Sequence, residues 1–406
     1  MDLYDGKGNL IEIAGVTKKD IQLAFQQMVV DGDISLMTVG MDLDVQGLPN
    51  GWEENAESCY SELLSAYKEL SYDGIPFFVS TDQHSSSDGI DEPKSTAMEP
   101  YRWVNNRDKD GMEMASLNLG DSFGHQYNEG DLKHWVNRTK YVKNYIAVCG
   151  NHDAAPGANI PTYFGINAFF FAQNDPHSFS ACGFKVVKDK LRNCKFICLQ
   201  HHIIENASDD EDAESGIGYS SEEIDQFIAE LNKNDGYDIV ILRHEPICCN
   251  IVNNGYFDPN GNSYIGEWDD FLNEQYITWT PGSNSPRSKA VDSGIDEVSA
   301  EIMIYKFIER GSGICIDHNG GRHPYDFSNS TGKILCGFHG HWHSNKYMGR
   351  HDFFRLVFQD QDTDRYNYFG LIDRKHDTLK IWRFSKNGRD AVRTYNLYED
   401  TPYEVR

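Results

Sequence analysis

The sequence has no Cys-x-x-Cys pair, no Lys/Arg-rich block, no internal repeat, no low-complexity tract and no apolar run approaching about 18 residues. Each absence removes a class of protein. Nine cysteines at irregular spacing, several of them inside apolar runs, are read as buried reduced thiols. With 37 Lys and Arg against 63 Asp and Glu, the formal net charge is -26, which repels polyanions and disfavours a nucleic-acid partner. The opening Met1-Asp-Leu-Tyr-Asp carries neither a basic segment nor an apolar core of an export signal, and the expectation is a cytoplasmic protein without a membrane span.

What is present is a recurrence. Five times a short apolar run leads straight into side chains that can hold a metal: Ile75–Thr81 into Asp82-Gln-His84, Ala115–Leu119 into Gly120-Asp121, and Tyr145–Cys149 into Gly150-Asn-His-Asp153. Ile239–Arg243 then leads into His244-Glu-Pro, and Lys333–Phe338 into His339-Gly-His-Trp-His343. Runs of β-branched and aromatic residues bounded by Gly, Pro or Asp read as buried strands. Open α/β sheets place ligands beyond the carboxyl ends of such strands, so a single sheet rim is expected to gather every cluster.

The rest of the chain divides around these runs. Glu53 to Leu70 has apolar residues on one helical face, and residues 1–70 are taken as an N-terminal appendage or covering layer that also holds a helical stretch from Lys18 to Val30. Residues 71–385 form the main domain, with helices expected at Ala97–Asn106, Leu132–Asn144 and Ile217–Asn232, which gives β-α-β alternation. Residues 250–296, rich in Asn, Gly, Pro and aromatics, form an irregular insertion expected to overhang the rim beside His244 and wall the pocket. Phe353–Phe358, Tyr366–Asp373 and Thr378–Phe384 read as strands of a second sheet, and residues 386–406 as a C-terminal tail.

Residues two apart on an extended segment point the same way, so Asp82 and His84 can grip one ion while Gln83 faces elsewhere. His341 and His343 repeat that spacing with two imidazoles. Each cluster alone has an ordinary alternative. Asp121 after Gly120 could be a helix cap, His244 could be a core histidine, and His201-His202 after a similar apolar run reads as structural. Asn151 is a poor ligand by itself, and beside His152 and Asp153 at a strand end it makes sense mainly where a second, hard cation is already being neutralised.

Taken together and in this order, Asp82-x-His84, Gly120-Asp121, Gly150-Asn-His-Asp153, His244 and Gly340-His-x-His343 resemble the five signature blocks of the calcineurin-like metallophosphoesterases, over residues 73–385. The resemblance implies a four-layer α/β/β/α sandwich with mixed sheets and a dinuclear metal site. One metal would be held by Asp82, His84, Asp121 and His343, the other by Asp121, Asn151, His244 and His341, with Asp121 bridging. A metal-bridging hydroxide would be the nucleophile in hydrolysis of a phosphomonoester or phosphodiester. His152 would bind phosphate and protonate the leaving group, with Asp153 orienting it. His125 is a candidate on the substrate side, and His339 a candidate behind the ligands. A mixed N/O donor set suits two divalent or mixed-valence ions drawn from Mn, Fe, Zn or Ni.

Departures from the pattern narrow the branch. Asp121-Ser-Phe-Gly-His125 lacks the Asp-Arg-Gly of the Ser/Thr protein phosphatases, whose third block ends in Glu where this chain has Asp153. Gly124 stands where purple acid phosphatases carry a tyrosine ligand. The expected substrate is a small phosphoester or a surface phosphopolymer. A nuclease is a competing reading, because two divalent cations would add about +4 where a phosphate docks. A further alternative comes from Leu3–Ile13, which loosely resembles N-terminal segments of phage tail and baseplate proteins. On that reading the N-terminal segment mediates docking or oligomerisation, and the protein is virion-associated.

Overall fold

Strands that are buried along their whole length need neighbours on both edges, and this requirement sorts the chain into two large mixed sheets. The computed structural model describes residues 51–84, 94–107, 112–122, 142, 144–148, 150, 184–199, 202–203, 217–218, 221–244, 297–298, 300–316, 321–341, 346–350, 353–358, 366–398 and 401–405. In chain order they form α1 (Trp52–Glu69), β1 (Ile75–Ser80), α2 (Lys94–Arg107), β2 (Ala115–Asn118), β3 (Tyr145–Ala147), β4 (Lys185–Asp189), β5 (Cys194–Cys198), β6 (His202–Ile203) and β7 (Ile217–Gly218). Next come α3 (Ser221–Leu231), β8 (Asp238–Leu242), β9 (Glu297–Val298), α4 (Ala300–Ile308), β10 (Ser312–Ile316), β11 (Arg322–Asp326) and β12 (Lys333–His339). The last are β13 (Lys346–Arg350), β14 (Phe353–Val357), β15 (Asn367–Asp373), β16 (Thr378–Ser385), β17 (Gly388–Arg389), β18 (Arg393–Asn396) and β19 (Thr401–Val405).

The first sheet runs β17-β16-β15-β1-β2-β3, with β18 also on β16; the second runs β19-β13-β14-β12-β8-β5-β4. β1 is buried at every residue because β15 flanks it antiparallel and β2 parallel. Alternation along it then divides two cores: Phe78 joins a cluster with Trp52, Tyr60 and Leu63 of α1 and Tyr101 of α2, while Ile75, Phe77 and Val79 face the second sheet. In β8 the same alternation sends Val240 and Leu242 towards the first sheet, and Ile239 and Ile241 towards α3 and α4. Across the sheets the rings of Phe77 and Phe338 lie 4.7 Å apart. Gly370, opposite Phe77 in β15, leaves the space that ring occupies.

Several sequence expectations are corrected. The rim is shared by two sheets, with β1, β2 and β3 in the first and β8 and β12 in the second. Only Phe353–Val357 of the three late runs lies in the second sheet; β15 and β16 belong to the first, because fully buried β15 needs an interior place beside β1. The supposed tail is woven into both sheets, β18 on β16 and β19 on β13. α1 lies over the first sheet as a covering layer, with Trp52, Ala56, Cys59, Tyr60, Leu63, Ala66 and Tyr67 buried on its inner face. Helix α3 begins at Ser221, not Ile217, whose strand β7 pairs with β6. Glu222 and Glu223 mark the true start, where carboxylates favour the positive end of the helix dipole. Residues 1–50, the expected helix from Leu132 (apart from its last residues) and the insertion at 250–296 lie outside the described residues.

The edge opposite the rim is clamped by Arg374, in the turn between β15 and β16. Its Nη1 donates to the Arg192 carbonyl at 2.7 Å and to Asp238 at 3.2 Å, and its Nη2 to Asp73 at 2.8 Å. One guanidinium thus ties the first sheet to residues that open β5 and β8 of the second. Arg374→Ala is expected to lower unfolding stability by about 1–2 kcal/mol, more than an isolated surface pair would, because a buried-side carbonyl also loses its donor. Arg374→Lys should recover only part, since an ammonium cannot span the fork; denaturant unfolding of the three chains checks both.

Among the described residues Cys59, Cys194, Cys198, Cys315 and Cys336 are buried thiols outside any disulfide, as the irregular spacing led us to expect. Burial pushes the Cys59 thiol up to about 11 and Cys198 to about 12, and raises the Cys194 and Cys336 thiols well above the ordinary range as well. Alkylation at pH 8 followed by peptide mapping should therefore label these four only in denaturant. Labelling of any of them in the native chain would contradict their placement.

Candidate metal centre

Each described candidate ligand sits two to four residues past a strand end, where the chain must leave the sheet abruptly. Asp82, His84, Asp121 and His341 do so with positive φ, at 52°, 42°, 51° and 73°. Left-handed backbone costs an L-residue about 1–2 kcal/mol, although Asp and His tolerate it better than most. Four such residues converging on one spot is the kind of strain that fixed neighbours must hold in place.

The holding bonds are visible. The ladder between β1 and β2 continues past both strands, with the Asp82 N–H donating to the Gly120 carbonyl and the His84 N–H to the Asp121 carbonyl, each at 3.0 Å. From the second sheet, the Gly340 N–H donates to the His244 carbonyl at 2.9 Å, and the His341 N–H reaches across to Asp82 Oδ1 at 2.8 Å. Three glycines permit this closeness. A Cβ at Gly120, whose φ is 104°, would lie 2.5 Å from His244 Nδ1, and one at Gly340 would lie 2.5 Å from Asp82 Oδ2. A Cβ at Gly150 would fall on the Asp121 carboxylate, so the third sequence block reaches the same spot.

The donor atoms meet in two groups. Asp82, His84 and Asp121 each offer a ligand atom within 4.8 Å of the others, and so do Asp121, His244 and His341. Asp121 is common to both. Its Oδ2 lies 3.0 Å from His244 Nε2 and 3.8 Å from His84 Nε2, and the His244 and His341 rings meet edge-on at 5.1 Å. Here the sequence blocks and the two-sheet frame coincide. Among the described residues, two mixed sheets bring Asp82, His84, Asp121, His244 and His341 of those blocks to one place.

The arrangement suits a cation. His244 is fully buried and its Nδ1 donates to the Leu119 carbonyl at 2.7 Å, which presents Nε2 to Asp121 Oδ2 at 3.0 Å. A cation held between them, or a proton on Nε2, would satisfy that contact. Asp82 and Asp121 are themselves 0% and 1% exposed, and buried carboxylates demand compensating charge. Mixed imidazole and carboxylate donors therefore fit a divalent transition metal.

His339 behaves differently: it is in neither group, and its buried ring donates from Nδ1 to the Arg243 carbonyl at 3.1 Å, bracing the end of β8. Asn151, His152, Asp153, His343 and His125 lie outside the described residues. Residues the sequence reading passed over support the turn from below. Asn118 accepts from the Gly120 N–H at 3.1 Å and donates to Ser122 at 2.8 Å and Tyr145 at 3.0 Å. Tyr101 donates to the Ser80 carbonyl at 2.6 Å, and Gln83 turns away from the ligands to donate to Tyr101 and Ser80. Polar residues inside otherwise apolar strand runs were the available signal.

No protein-family model and no curated protein matches the sequence. Similar solved structures include a conserved Streptococcus pneumoniae protein described as a predicted phosphoesterase, 9% identical over 79% of this chain and 97% of that one, with a TM-score of 0.31. Another is GAP50, the anchor in the inner membrane complex of Plasmodium, at 9% identity over 81% and 90% of the two chains and a TM-score of 0.39. A Staphylococcus aureus protein described as a 5'-nucleotidase, in complex with alpha-ketoglutarate, is 12% identical with a TM-score of 0.37; the match spans 81% of this chain and 55% of that one.

Gly340→Ala is expected to destabilise the chain by about 1–3 kcal/mol and to lower its metal content, because the new methyl must displace Asp82. Gly311→Ala, whose Cβ would meet nothing closer than 3.5 Å, should change stability by no more than about 0.5 kcal/mol and leave metal content intact. Thermal melts with elemental analysis of both variants distinguish these outcomes.

Proposed function

We propose that the chain is a dinuclear-metal-dependent phosphoester hydrolase. The observation that carries this reading is the pair of ligand groups sharing one carboxylate, Asp121. Two cations sharing a carboxylate would supply Lewis acidity to a phosphate and lower the pKa of a water until it ionises near neutral pH. On this reading Asp82 and His84 serve one position, His244 and His341 the other, and Asn151 and His343 complete the sets.

The remaining chemistry falls to groups beside the metals. His152 follows directly on Asn151, so its imidazole would contact a bound phosphate and donate a proton to the departing oxygen. Asp153 would hold that imidazole in the donating tautomer. The N/O donor set favours Mn, Fe, Zn or Ni over Ca or Mg alone. The charge of -26 favours a small phosphoester, or a polymer presented at a surface, over free nucleic acid.

Metal analysis combined with hydrolysis of p-nitrophenyl phosphate and bis-p-nitrophenyl phosphate tests the reading. The wild-type chain should hold two transition-metal ions and turn over at least one ester. Asp121→Ala should lose both metal and turnover, whereas His152→Ala should keep its metal and lose about 10²–10⁴-fold in kcat. A wild-type chain that binds no metal, or hydrolyses neither ester when loaded, would overturn the proposal. Full activity in His152→Ala would require a different acid.

A further inference from the structure

We propose that Thr81 is a positioning residue that orients Asp82 for one of the two metal positions and not for the other; this rests on the dinuclear reading above. Thr81 is fully buried, and its hydroxyl lies 2.7 Å from Asp82 Oδ2 and 3.5 Å from the Gly120 carbonyl. A hydroxyl has one proton to give. At these distances it goes to the carboxylate.

The other oxygen of Asp82, Oδ1, accepts the His341 N–H at 2.8 Å. Asp82 is thus gripped at both oxygens, by its own sheet through Thr81 and by the opposite sheet through His341. Gly340 packs against the same pair, since a Cβ there would strike both the Thr81 hydroxyl and Asp82 Oδ2. With a hydrogen bond at each oxygen, rotation of the carboxylate is restrained. Loss of the hydroxyl would release Oδ2 and let the carboxylate pivot about the bond to His341.

The asymmetry follows from membership. Asp82 meets His84 and Asp121 in one group, whereas Asp121, His244 and His341 make the other without it. The His341 N–H stays on Oδ1 when Oδ2 is released, so loss of the Thr81 hydroxyl loosens the position that Asp82 serves and bears less on the one that His341 serves. Removal of a hydrogen-bond partner behind a metal ligand characteristically weakens metal affinity about 10–100-fold.

Titration of the metal-free chain with manganese(II), followed by calorimetry and by the spin-coupled electron paramagnetic resonance signal of a manganese pair, tests this. The wild type should bind two ions. Thr81→Val should bind one at wild-type affinity and the second about 10–100-fold more weakly, with an uncoupled signal at one equivalent. Thr81→Ser should restore wild-type binding. Two ions at wild-type affinity in Thr81→Val, or equal weakening of both, would overturn the assignment. Fewer than two ions in the wild type would instead overturn the dinuclear reading itself. Should the valine chain fail to fold, Thr81→Ser and Thr81→Ala differ only in the hydroxyl and carry the same comparison.

Discussion

Two buried carboxylates, Asp82 and Asp121, face imidazoles at a place where two sheets end, and the rest of the architecture makes that arrangement tolerable. Each carboxylate is almost wholly removed from water. Leaving a charge there uncompensated costs several kcal/mol, and the surroundings answer it in part: the His341 N–H and the Thr81 hydroxyl donate to Asp82, while His244 Nε2 lies 3.0 Å from Asp121 Oδ2. Neither sheet could supply these partners alone. The first brings the carboxylates and His84; the second brings His244, His341 and the reaching peptide.

The price of that meeting is backbone strain, and glycine decides where it falls. Ligands placed on the strands themselves would point alternately to opposite faces, into the core or towards a helix. Turning the chain sharply just past the last paired residue gathers them on one side, which is why Asp82, His84, Asp121 and His341 take positive φ. Gly120, Gly150 and Gly340 lie where a methyl would collide with Asp121, Asp82 or His244. The ligand-bearing residues bear the strain, and the glycines beside them provide the room.

Much of this was written in the sequence, in patterns of different reach. The apolar runs ending at Gly or Asp marked the strands, and spacing of three and four marked the buried face of α1 from Ala56 to Tyr67. The grouping of donors about Asp121 followed from the family resemblance of the blocks. Partnership between strands was not legible. A run buried at every position, such as Asn367–Asp373, announces an interior strand but not which neighbour it takes, and β18, half exposed along its length, reads as tail. Thr81 and Asn118 were hidden for another reason: a single polar residue in an apolar run looks like ordinary strand until its partner on another segment is seen.

Strain and buried charge at one end of a sandwich require stability from elsewhere, and its source is the material between and behind the sheets. Side chains from β1, β5, β8, β12 and β15 interlock in the core between the sheets, while α1 and α2 cover one sheet and α3 and α4 the other. At the far edge Arg374 fastens the same two sheets through Arg192, Asp238 and Asp73. A pair of sheets fixed at one end and filled between them cannot slide, so their other ends meet in a fixed register. Because an interior packed to crystal density transmits displacement instead of absorbing it, the packing of Phe77 against Phe338 backs the alignment of His341 with Asp82 that their hydrogen bond makes.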